Sequence, residues 1–92
     1  LYHLRMNPLA AVFWDYPELT DTGRLREYLR ESSKPVRRWV LLRFLERARV
    51  ADTFAYFGLD EIADALPSLR AGTASRKKWE RLLEVYGGND GR

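Results

Sequence analysis

The chain has 92 residues, 46% of them apolar and 32% charged, with no Cys and a net charge of +3. That is one small domain with a modest core. It excludes disulfides, thiol catalysis and a cysteine zinc site, and no apolar run approaches the roughly 20 residues of a membrane span.

Charge is unevenly distributed along the chain. Residues 21–49 carry nine bases against four acids, residues 50–67 four acids and no base, and residues 68–92 six bases against three acids. A chain with basic and acidic faces suits recognition of a charged partner.

Residues 1–10 read as a flexible leader. Met6 followed by "NPLA" looks like a start, which would make residues 1–5 an extension ahead of it. Nothing there reads as a signal peptide, and the expected location is cytoplasmic. The domain is expected over 11–87, with 88–92 as a frayed tail.

The domain opens on "AVFWDYPEL", where Phe13, Trp14 and Tyr16 crowd around Asp15. Pro17 pushes Tyr16 towards an extended conformation, and Asp15 can accept backbone N–H bonds and turn the chain. The rings therefore end a short helical turn or lie on an arm that lids the bundle. With three Trp, five Tyr and four Phe in 92 residues, a small core does not easily enclose every ring, and some become contact anchors.

Everything beyond reads as helix, with no clean period-two alternation. Leu25, Tyr28, Leu29 and Ser32 fall at i, i+3, i+4 and i+7, predicting a helix over 21–32 with Asp21 or Thr20 as its cap. Ser32 or Ser33 caps a second, and Pro35 suits its first turn. Val36, Val40, Phe44 and Ala48 form one stripe of this helix over 35–48. Leu41 and Leu45 lie beside that stripe, with Trp39 and Leu42 opposite. A helix apolar around most of its circumference must be central. "VADTFAYFGLDEIADALPSL" predicts two short helices. Gly58 stops the first in a left-handed conformation, Asp60 caps the second, and Pro67 keeps Leu66 out of helix. The last helix starts at Thr73 or Ser75, carries Trp79, Leu82, Leu83 and Tyr86 as its stripe, and ends at Gly87 and Gly88. The expected fold is an all-α, single-domain bundle of about five helices around 35–48.

Catalytic constellations are missing from this pattern. The single His, His3, lies in the leader, so no Ser–His or Cys–His arrangement can be assembled. Asp60 and Asp64 are one turn apart, but capping accounts for Asp60 and Glu61, and a metal site needs more ligands. No phosphate-binding glycine loop occurs. The sequence thus predicts no enzyme, no metal and no cofactor. A helix-turn-helix of the right size spans the glycine turn, yet its second helix would present Asp60, Glu61 and Asp64 to phosphates, and Phe54 is too large for the close helix crossing.

The bases say more. Arg37 and Arg38 open the central helix, and Arg76, Lys77 and Lys78 open the last, where cations oppose the helix macrodipole. Helix starts loaded this way point to anion-facing surfaces. Pairing with nearby acids is the alternative explanation.

Taken in order, "FWDY", "RRWVLLRFLE", "YFGLDEIADAL" and "RKKWERLL" resemble a group of small bacterial helical proteins with an N-terminal Phe-Trp-Asp motif. Phe13, Trp14 and Asp15 match its opening motif, and Tyr56, Gly58 and Trp79 match its later ones. Members are often encoded beside nucleotidyltransferase toxins of the AbiEii class. The resemblance implies an antitoxin-like, non-catalytic protein-binding module that occludes the toxin's cleft. The expected partner-binding residues are Phe13, Trp14, Tyr16, Arg37, Arg38, Arg76, Lys77 and Lys78. The alternative is a small basic nucleic-acid-binding protein using the same bases.

Overall fold

A computed structural model describes residues 8–87; the first seven residues of the leader expected over 1–10, and the tail expected over 88–92, lie outside them. The described chain is all helical. It contains α1 (Pro8–Val12), α2 (Thr22–Glu31), α3 (Lys34–Arg47), α4 (Val50–Phe54), α5 (Leu59–Ala65) and α6 (Ala74–Gly87), with 3-10 turns at Pro17–Thr20 and Leu66–Ser68. Among the described residues no helix is long and apolar enough to cross a membrane.

The long helices start at hydrogen-bonding side chains. Asp21 Oδ2 accepts the Arg24 N–H at 2.9 Å, Ser33 Oγ accepts that of Val36 at 3.4 Å, and Thr73 Oγ1 accepts that of Arg76 at 3.3 Å. Each satisfies a donor that helix geometry leaves orphaned.

α3 is the axis of the bundle, as its apolar circumference requires. Helices α1, α4, α5 and α6 all pack on it. Val40, Leu41, Phe44 and Leu45 are buried along it, and Trp39 and Leu42 are half-buried on its other side. Phe44 is the aromatic hub, with ring centroids 6.1 Å from Phe13, 5.3 Å from Tyr56 and 5.4 Å from Phe57. From α6, the fully buried Trp79 donates its indole N–H to the Leu45 carbonyl at 2.9 Å, so a large ring is buried without an orphaned donor. Thr53, a buried polar residue of α4, likewise bonds the Arg49 carbonyl at 3.1 Å.

The structure departs from the sequence reading in four places. The rings do follow a short helical turn, α1, but it starts earlier than expected: Leu9, Val12 and Phe13 are all buried, so the domain begins inside the expected leader. Asp60 is not the cap of α5. That position is Gly58, with φ −84° and ψ 164°, in extended rather than left-handed backbone. The chain leaves α4 through a short turn and needs no left-handed residue there; Gly72, before α6, is the described glycine with positive φ, at 86°. Finally, Leu66 is helical despite preceding Pro67 (φ −54°, ψ −41°). The 3-10 turn does not need the N–H that proline lacks, and burial of Leu66 holds the pre-proline residue in place.

Gly58 offers a simple test of this backbone assignment. A Cβ there meets nothing within 4 Å. Gly58→Ser should supply the missing N-cap acceptor and restrict the unfolded chain, together about 0.5–1.5 kcal/mol. The melting temperature should rise by several degrees. A left-handed Gly58 would make the same substitution destabilising.

Candidate functional site

The last carbonyls of a helix lack intrahelical donors. At the end of α1, Arg43 of α3 supplies them: Nε and Nη2 donate to the Val12 carbonyl at 3.1 and 2.8 Å. Nη2 also donates to Asp15 Oδ1 at 2.6 Å. The same guanidinium carbon lies 5.3, 5.0, 5.5 and 5.2 Å from the ring centroids of Phe13, Trp14, Tyr16 and Trp39. The Arg43 side chain is only 15% exposed. One planar cation thus fastens the "FWDY" segment to the central helix through charge-assisted hydrogen bonds and aromatic stacking together.

This arrangement sorts the rings by role. Phe13 is fully buried, between Trp39 at 6.3 Å and Phe44 at 6.1 Å. It is a core residue and presents no surface for a partner. Tyr16 meets Trp39 edge-on at 5.4 Å and stays partly open to solvent. Trp14 is 57% exposed, a high value for a tryptophan. Arg47, exposed one turn beyond Arg43, stands 4.2 Å from its ring centroid. Trp14, Tyr16 and Arg47 form an exposed patch on a rigid backing.

Most of the candidate bases lie elsewhere. Arg37 makes a bidentate pair with Glu61 of α5 (Nε–Oε2 2.5 Å, Nη2–Oε1 3.1 Å) and stacks over Phe57 at 5.1 Å. The Glu61 hydrogen bond raises the Arg37 pKa, outweighing the desolvation that lowers it. Stability linked to a raised pKa is complete below the ordinary arginine range and is lost only as pH climbs through it, so the cation is constant at physiological pH. Arg38 donates to the Asp64 carbonyl at 2.9 Å and reaches the Asp64 carboxylate at 3.5 Å, in a solvent-exposed pair. Arg76 bridges Glu80 at 3.0 Å and the Leu69 carbonyl at 2.9 Å. The alternative explanation, pairing with nearby acids, therefore holds for Arg37, Arg38 and Arg76. Lys77 and Lys78 are exposed, and Lys78 Nζ lies 5.7 Å from the Trp79 ring centroid.

Among the described residues, the arginines on the Trp14 ring are Arg43 and Arg47; the sequence reading singled out neither. A base inside the apolar run "WVLLRFLE", one turn after Trp39, was the available signal. The described residues contain no group of three or more acidic, His or Cys side chains placed to hold a metal ion. Asp64, one of the two acids weighed as ligands, faces Arg38 instead, and the neighbouring Glu61 faces Arg37. Comparison with protein-family models, with curated proteins and with solved structures finds no match.

Proposed function

We propose that this protein is a non-catalytic binding module that docks a protein partner through Trp14, Tyr16 and Arg47. The observation that carries the reading is the exposed Trp14 indole, held in place by Arg43 and flanked by Arg47. Trp, Tyr and Arg are the residue types in which interface energy concentrates. A ring in a turn already fastened to α3 by Arg43 loses little freedom on docking. The exposed ring adjoins a segment whose other rings are buried or packed, so it is not the by-product of a disordered arm.

The resemblance supplies the partner class, a nucleotidyltransferase-like toxin. Its cleft would be covered by this patch, and its acidic residues would meet solvent-exposed cations such as Arg47, Lys77 and Lys78. Arg38 can join them, because an exposed ion pair is worth little and exchanges partners readily. Nucleic-acid binding is the weaker reading. Of the five bases on which it rested, Arg37 and Arg76 already meet carboxylates with their own side chains part-buried, which leaves Arg38, Lys77 and Lys78 to neutralise phosphates.

The test is co-expression with the product of the adjacent gene, followed by co-purification and a salt titration against that product and against duplex DNA. The reading predicts a stable complex with the protein and weak DNA binding. Submicromolar DNA binding at physiological salt, with no affinity for the neighbour, would overturn it.

A further inference from the structure

A second surface, separate from the Trp14 patch, lies between α2 and α3. Its lining is Arg26, Leu29, Arg30, Arg37 and Tyr56, with no carboxylate. Three other surface grooves each contain at least two: Glu61 and Asp64 in one, Glu18, Glu27 and Glu31 in another, Glu80 and Glu84 in the third. We propose that the α2–α3 groove is a binding site for a phosphate monoester.

Charge on α2 is unevenly placed. Arg26 and Arg30 are at i and i+4, a like-charge pair that destabilises an isolated helix. Glu27 and Glu31 make a second such pair, on the separate groove with Arg24. Glu27 offsets part of this, lying three residues from both Arg24 and Arg30, but Arg26 has no acid three or four positions away on α2. The position of Arg30 in the last turn complements the helix dipole, but Arg26, a full turn earlier, has no such explanation.

The groove is also ordered in advance. The Arg26 guanidinium lies 4.7 Å from the Tyr56 ring centroid, and Phe44 backs that ring at 5.3 Å. Arg37 is fixed by its two bonds to Glu61 and turns Nη2 to the Tyr56 carbonyl at 3.5 Å. Glu61 matches the charge of Arg37. Among the described residues Arg26 and Arg30 form no ion pair, so two positive charges are left over.

That count selects the ligand. A phosphate monoester carries about −1.5 to −2 near neutral pH, whereas a carboxylate or a diester carries a single charge. Guanidinium forks match phosphate oxygens in bidentate geometry. With a volume of about 290 Å³, the groove is at the lower limit for small-molecule sites. It fits a phosphoryl group and a few attached atoms. Tyr56 is already covered by Arg26 and offers no free face for a stacked base.

The test is an NMR titration of the arginine Nε–Hε signals with methyl phosphate, dimethyl phosphate and acetate at one ionic strength. Methyl phosphate should shift Arg26 and Arg30 saturably, about tenfold more tightly than either monoanion. Its affinity should drop severalfold below its second pKa of about 6. Arg30→Gln, at an exposed position, should weaken binding about tenfold while keeping the fold. An equal response to all three anions, or an Arg30→Gln protein that binds as the parent does, would overturn the assignment. Equally tight saturation by dimethyl phosphate would also overturn it, giving the groove to a nucleic-acid backbone instead.

Discussion

Phe44→Ala should cost about 3–5 kcal/mol, the range for emptying a buried phenylalanine site. Phe44 is fully buried and touches rings from three directions: Phe13 after α1, and Tyr56 and Phe57 between α4 and α5. No neighbour can move in without abandoning another contact, so the cavity should collapse poorly. A domain of this size has a total stability of roughly 5–14 kcal/mol, and each kcal/mol is worth about 4–8 °C of melting temperature. Calorimetry should find a fall of at least about 12 °C, or no folded protein. An unchanged melting temperature would mean that α3 is not the axis of the core.

Arg43→Ala should cost about 2–4 kcal/mol, through lost charge-assisted bonds and an unsatisfied carbonyl at the buried Val12. The loss should be local. Arg43 holds the end of α1 and the "FWDY" turn, while Phe44, Leu45 and Trp79 pack without it. Amide exchange should accelerate most at Phe13 and Tyr16, whose N–H groups bond the Leu9 and Phe13 carbonyls at 2.9 and 3.1 Å, with less change in α3 and α6. Arg43→Lys should recover only part of the loss, because an ammonium cannot hold Val12 and Asp15 in one fork or stack as a plane. A lysine variant equal to the parent would show that the guanidinium geometry is immaterial.

These two residues also mark how far the sequence could be read. Phe44 was legible: it sits on a helical stripe with Val40 and Ala48, and stripes of that kind become cores. α2, α3 and α6 were legible for the same reason, each with its cap at Asp21, Ser33 or Thr73. α1 was legible only as one of two alternatives, a short helical turn without bounds, because five residues carry little periodicity, although Asn7-Pro8 followed by Leu9, Val12 and Phe13 held a start signal and the right spacing. Arg43 was invisible as a clamp, since its partners lie 28 and 31 residues away.

The uneven charge along the chain has a similar explanation. Its basic middle and acidic following segment read as faces for an outside partner. Part of that asymmetry is internal: Arg37 and Arg38 at the start of α3 meet Glu61 and Asp64 of α5. The bases opposing the α3 dipole thus join two helices, and a local reading of α3 contains no trace of α5. The opening aromatic cluster divides in the same way, with Phe13 enclosed by the core and Trp14 directed to solvent. Consecutive residues take opposite roles because the chain turns between them around Arg43.

The outward Trp14 is where structure and proposed function meet most directly. Trp14→Ala should keep the fold while lowering the melting temperature by about 4–16 °C, since the ring is 57% exposed and its two arginine contacts are worth about 0.5–1 kcal/mol each at such sites. Calorimetric titration against the adjacent gene's product should show the affinity falling about 30-fold or more, the signature of an anchor residue worth at least about 2 kcal/mol. Full affinity in a folded Trp14→Ala protein would contradict the account and place the docking surface elsewhere.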